Sequence, residues 1–276
     1  MSDRTASLTR CAAWLMAALA FPLAAGAQSP NSVVTRLKQD PVLKVCFAQG
    51  TPDSYKDPKT GIWTGVMVDL VNELATQLHA KVEPVEVQWP TAVLSLKRGD
   101  CDFFGGSLVY NPGRALEIAF VRPFWAKGLN MVVPVKNPKN LQHLSDLNSE
   151  NVTIAAVVGS REFESSKRLF PKAKFLAIPV NADIQIIDPV RRGDADVAVL
   201  PTITIQWWLQ VPENAAWGKM GFPGEDFGNA PNGWAVRFGD PEWRDFLDEF
   251  SNWVAVNGLA PKLYDEYLKK TNPFSR

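Results

Sequence analysis

The residues whose types could do chemistry are few, and most of them point away from catalysis. The chain has two histidines. His79 closes a helical pattern, His143 falls in a loop, and neither sits at metal-ligand spacing, so no metal is expected. No Gly-x-Ser-x-Gly elbow, phosphate loop or dinucleotide fingerprint occurs, and no cofactor is expected. One stretch does suggest ion capture. Gly159-Ser160-Arg161-Glu162 opens a helical pattern, and the free N–H groups of a helix start attract an anion. Arg161 is either part of that site or a solvated side chain of the first turn. Cys46 and Cys101 are either a disulfide or two buried thiols, a choice that turns on the compartment.

The N-terminus indicates that compartment. Arg4 and Arg10 precede an apolar run from Cys11 to Ala25, and Ala25-Gly26-Ala27 then leads into Gln28. This predicts a signal peptide over residues 1–27, cleaved near Ala27, and a periplasmic mature protein. The run is about 15 residues, shorter than the roughly 20 that a membrane span needs, and no later stretch is longer, so no stable membrane insertion is expected. Export removes Cys11 and makes Cys46–Cys101 the expected disulfide. The remainder is long enough for two modest lobes, each with its own core. The 29 acidic and 29 basic residues cancel, which argues against nucleic acid or an anionic membrane as partner.

The elements that must position such residues alternate. Leu43 to Ala48 reads as a buried strand, the stretch after Gly65 as an amphipathic helix with Val68, Val71, Leu74 and Leu78 on one face, and Lys81 to Val87 as a strand weakened by Pro84. Pro90 opens a short helix ending at Gly99, and Asp102-Phe-Phe-Gly-Gly is the next strand. The same grammar returns after Pro134: strand Val152–Val158, helix Arg161–Leu169, strand Phe175–Val180, helix Ile184–Arg192 and strand Val197–Leu200. Lys97-Arg-Gly-Asp-Cys-Asp102 and Arg191-Arg-Gly-Asp-Ala-Asp196 share one pattern, with each glycine placed where a helix must turn into a strand. Two α/β lobes of similar topology follow, residues 40–125 plus 232–276 and residues 126–231, with a cleft outside the carboxyl ends of their strands. Asp240 and Pro241 start a long terminal helix, and Lys262 to Lys270 makes the last one, with Leu263, Tyr267 and Leu268 inward.

Six segments in order resemble the polar-amino-acid class of periplasmic binding proteins, the family-3 solute-binding fold. They are Gly61-Ile-Trp-Thr-Gly65 through Leu70; Trp89-Pro-Thr through Asp102; Asn111-Pro-Gly-Arg114 with Pro123-Phe124 behind it; Val157-Val-Gly-Ser160; Arg192-Gly-Asp-Ala-Asp196-Val; and Gly233-Trp-Ala-Val through Pro241. The resemblance implies two Rossmann-like lobes with a ligand cleft between them (a type II periplasmic binding protein), a small carboxylate ligand and an inner-membrane ABC permease as partner, without catalysis. It implies that Arg114 grips the ligand carboxylate through paired guanidinium donors, with Gly106, Ser107 and Val109 beside it. Ser160 and Arg161 then close from the second lobe, and Trp89, Tyr55, Trp125, Trp207 and Trp208 are candidates for an aromatic wall. Two positions depart from the family. Pro201, followed by Thr202, stands where an aspartate usually receives the ligand ammonium, and Thr51 replaces an aromatic, leaving Asp53 or Glu162 as substitutes. A carboxylate without an amine, or one with a second anionic group for Arg161, therefore suits the residues better than an amino acid. Exported cyclohexadienyl dehydratases share this fold and need a cleft acid, for which Glu162 or Asp53 are candidates. The cysteine positions resemble a sub-branch associated with periplasmic alcohol oxidation, which implies a partner-binding accessory protein as an alternative.

Overall fold

The computed structural model describes residues 32–179 and 183–275. The expected signal peptide, residues 1–27, lies outside the described residues. The chain opens with α1 (Val33–Leu37), β1 (Val42–Phe47), a hairpin of β2 (Tyr55–Lys56) and β3 (Trp63–Thr64), α2 (Val66–Gln77) and β4 (Lys81–Glu86). A 3-10 turn at Trp89–Thr91 leads into α3 (Ala92–Arg98), β5 (Phe103–Val109), α4 (Pro112–Ala115) and β6 (Ala119–Phe120). Strand β7 (Trp125–Pro134) crosses to the second half: β8 (Thr153–Val157), α5 (Arg161–Leu169), β9 (Lys174–Ile178), α6 (Ile187–Arg192), β10 (Val197–Pro201), α7 (Thr202–Trp208), α8 (Pro212–Trp217) and β11 (Gly218–Met220). Strand β12 (Phe227–Val236) returns, and α9 (Pro241–Val256) and α10 (Leu259–Lys269) finish the chain.

The strands run in the order β4-β1-β5-β12-β7-β10-β8-β9, with β6 on β12 and β11 on β7. Pairing is parallel within β4-β1-β5 and β10-β8-β9, and antiparallel wherever β7 and β12 take part. The sequence suggested two separate sheets. Instead the hydrogen-bond ladder is unbroken, because β12 is long enough to pair on both sides: with β7 over Phe227–Asn232 and with β5 over Asn232–Ala235. Trp125 stands opposite Asn232 and Ala126 opposite Pro231, the positions at which the sequence divided the lobes. Pro84 is tolerated because β4 is an edge strand, where a missing donor leaves no partner unpaired.

Period-two alternation sorts β1 and β5 between two faces. Val45, Phe47 and Phe103 join α2, α9 and α10 in one core around Leu70, Trp234 and Trp243. Cys46, Ala48 and Phe104 face α3 with Leu96 and Leu108. The second half has its own core of Met131, Ile154, Val197, Val199 and Phe222. Helix α7 stitches the two: Trp207 enters the first core and its neighbour Trp208 the second.

The repeated Arg-Gly-Asp-x-Asp segment has the same structural task twice. Gly99 and Gly193 end α3 and α6 in the left-handed region, at φ 77° and 82°, where a side chain would be strained. The last aspartate of each segment then ties down the first parallel strand of its half. The Asp102 carboxylate accepts from the backbone N–H of Lys44 at 2.8 Å, and that of Asp196 from Thr153 at 2.7 Å. Each carboxylate also pairs with a cation, Arg36 at 2.6 Å and Lys139 at 3.1 Å. Cys46 and Cys101 are bonded, with Cα atoms 5.6 Å apart. Cys101 lies in the turn before β5 rather than on the strand, since Asp102 must first receive the strand clamp.

Candidate functional site

A cavity of about 420 Å³ lies where the parallel strands of both halves end. Gly50 beyond β1, Ser107 and Val109 on β5, Val157 on β8, and Leu200 and Pro201 on β10 all reach it, the place where ligands of open α/β sheets bind. Trp89, Pro90, Arg114, Ser160, Arg161 and Glu162 complete much of its wall.

Arg114 is positioned by a local device. Asn111 caps α4, its side chain accepting from the Arg114 N–H at 3.1 Å, and Pro112 presets the first turn. The guanidinium reaches back to donate to the Val109 carbonyl at 3.2 Å. Glu117, three residues on, pairs with Lys97. Burial pulls the Arg114 pKa below its ordinary value; Glu162 opposes this and Arg161 adds to it. An arginine so placed stays charged and has unspent donors facing the cavity.

The second-lobe wall is a helix start. Ser160 caps α5 by accepting from Phe163 N–H at 3.1 Å, after Gly159 turns the chain at φ 70°. Arg161 does not project into solvent. It donates to the carbonyls of Lys127 at 2.8 Å and Gly228 at 3.1 Å, on the two crossing strands, and meets Glu162 at 3.4 Å.

Two groups that hold the cavity residue Asp53 were not legible in the sequence, one on the cavity wall and one in the core behind it. Lys127, on β7, is buried and ion-paired with Asp53. Tyr264, on α10, donates to the other Asp53 oxygen at 2.5 Å, and its own pKa is pushed well above the ordinary value by burial, then by Asp53. The signal for Lys127 was a cation inside the apolar run Trp125–Val133; Tyr264 was hidden in the inward stripe of the last helix.

Other expected residues land elsewhere. Thr51 does not line the cavity: its carbonyl accepts from Thr204 at 2.5 Å, fastening the β1 loop to α7. Gly106 also stays out of the wall, packed in β5 where a Cβ would lie 2.8 Å from the Phe104 ring. Ser107 lines the cavity and pairs with Asn232 of β12. Of the five proposed aromatics only Trp89 is in the wall, braced by donation to the Gln49 carbonyl at 2.8 Å and by the Phe104 ring. Tyr55 and Trp207 belong to the first core and Trp208 to the second, while Trp125 stacks on Tyr264. Among the described residues no cluster of ligand-type side chains could hold a metal, and no helix is long and apolar enough to cross a membrane.

Known proteins resemble this chain in sequence and fold over most of its length. The chain is 27% identical over 266 residues to a probable histidine-binding protein of Neisseria gonorrhoeae, covering 93% of this chain and 96% of that one. It is 26% identical over 258 residues to the cyclohexadienyl dehydratase of Pseudomonas aeruginosa, covering 92% of each. The crystal structure of an ancestral amino acid-binding protein, a precursor of cyclohexadienyl dehydratase, matches 86% of this chain and 100% of its own, with TM-score 0.74 and 26% identity. A putative ABC-transporter binding component from Wolinella succinogenes, complexed with lysine, has the same fold at TM-score 0.75 and 23% identity, matching 84% of this chain and 97% of its own. These neighbours make the fold that of a type II periplasmic binding protein. Residues 43–270 match the model of the bacterial extracellular solute-binding proteins, family 3, and the chain belongs to that family.

Proposed function

We propose that the protein is an exported, periplasmic solute-binding protein that holds a small carboxylate lacking an α-amine and delivers it to an inner-membrane ABC permease. The observation that carries this reading is the charge of the cavity wall. Arg114, Lys127 and Arg161 face Asp53 and Glu162, leaving one positive charge in excess, the complement of a monoanion rather than a neutral zwitterion. Both anions are already engaged, Asp53 by Lys127 and Tyr264, Glu162 by Arg161. Pro201 adds no charge and no donor where an ammonium would need one. Arg114, with Ser160 and the α5 N-terminus opposite, receives the carboxylate from both lobes.

The relation to a dehydratase supports a second reading, in which a cavity acid expels water from a cyclohexadienyl acid. Glu162 and Asp53 are the acids on the wall, yet their pairing with Arg161 and Lys127 favours binding over proton transfer. A thermal-shift screen against carboxylic acids, each paired with its α-amino counterpart, tests the proposal, since a ligand raises the melting point by mass action. Larger shifts for the des-amino member are expected. Shifts from amino acids alone contradict it, and product formed from a cyclohexadienyl acid would favour the dehydratase.

A further inference from the structure

Asp53, Lys127 and Tyr264 form a complete cation subsite whose cation belongs to the chain itself. The Asp53 carboxylate, in the loop after β1, is buried at the cavity wall. One oxygen takes the Tyr264 hydroxyl at 2.5 Å and the other takes Lys127 Nζ. The ammonium also lies 5.3 Å from the centre of the Tyr264 ring, within cation–π range. Lys127 reaches this place from a crossing strand, and its own carbonyl is held by Arg161. A carboxylate flanked by a tyrosine ring is the environment that would receive a ligand ammonium. Here it is filled from within.

We propose that Lys127 is a tethered ammonium that determines specificity: it occupies the Asp53–Tyr264 subsite, excludes ligands bearing a cation there, and neutralises Asp53 so that the charge of Arg114 is left in excess to select a monoanion. The inference rests on the reading of the cavity as a carboxylate site. Removing Lys127 leaves two cations against two anions, with Asp53 lacking its cation. The variant cavity then complements an acid that brings its own amine.

The test is calorimetric titration of wild type, Lys127→Ala and Lys127→Met. The probes are butyrate with 4-aminobutyrate, hexanoate with 6-aminohexanoate, and hexanoate with lysine. Arg114→Ala is titrated beside them. Wild type is expected to prefer the unaminated member of every pair it binds. The Lys127 variants are expected to reverse at least one pair by about tenfold or more, and Asp53→Asn added to Lys127→Met should cancel the reversal. Lys127→Met keeps the side-chain volume if Lys127→Ala does not fold. Wild type alone also decides: equal or tighter binding of the aminated members overturns the inference with no variant needed. Folded variants that keep the wild-type preference overturn it as well. Carboxylate binding indifferent to Arg114→Ala would instead remove the reading beneath it, and binding of none of these acids by any of the proteins would overturn both.

Discussion

Pro201 ends β10 at the cavity wall, and its ring offers neither charge nor donor to a ligand. Pro201→Asp should shift preference toward the α-amino member of an acid pair by about 1–2 kcal/mol, roughly five- to thirtyfold, read by titrating both members. An unchanged ratio would mean that the ammonium end of a ligand never reaches β10. Away from the cavity, Asp69 of α2 gives a test by acidity. Burial raises the Asp69 pKa, while the 3.0 Å hydrogen bond from Tyr267 works against that. A carboxyl with a raised folded pKa favours the fold below its unfolded pKa, and that contribution is lost as pH rises through the folded value. Asp69→Asn keeps the acceptor for Tyr267 and cannot ionise. Its melting point should therefore gain on wild type as pH rises from 4 to 8, and a constant difference across that range would contradict the assignment. At this scale the sequence was legible where a side chain acts within its own element, as with Arg114 after its Asn111 cap and Ser160 at the head of α5. Asp53 was legible as a candidate acid, but Lys127 and Tyr264 were not, since the three meet across 211 residues of chain and no local spacing encodes their partnership.

The two Arg-Gly-Asp-x-Asp turns were the clearest element-scale signal, because a left-handed helix end and a strand clamp are both built from residues close in sequence. Their second aspartates make charge-assisted hydrogen bonds to Lys44 and Thr153. Asp196→Ala should cost about 1.5–3 kcal/mol in denaturant unfolding, since it leaves the Thr153 N–H without its acceptor and Lys139 without its carboxylate. A loss below about 0.5 kcal/mol would show that the clamp is decorative. The Cys46–Cys101 bond spans 55 residues and ties β1 to the turn behind α3, beneath Trp89 and Phe104. Replacing both cysteines with serine should lower stability by about 2–4 kcal/mol. Alkylation of unfolded, unreduced protein should find no free thiol; labelling of both would contradict the pairing. What the elements did not reveal was the continuity of the sheet, because strand periodicity says which residues face a core and not how far a crossing strand extends its pairing.

For the whole molecule, the cavity draws its wall from both halves, and the halves are joined by β7, β12 and the α7 seam. Thr204 donates to the Thr51 carbonyl, and Asn272 donates to the Trp207 carbonyl at 2.9 Å, so the β1 loop and the tail are both fastened to α7. A ligand bridging Arg114 and the α5 N-terminus should draw the lobes together, seen as a smaller radius of gyration in solution scattering when a bound acid is added. The proposed function requires that this cavity hold a carboxylate through Arg114. Calorimetric titration of wild type and Arg114→Ala with the acid giving the largest thermal shift tests it most directly. One acid per chain is expected for wild type, with a loss of about 3–5 kcal/mol in the variant, a few hundred- to several thousandfold in affinity. Equal affinity in a folded Arg114→Ala protein would contradict it.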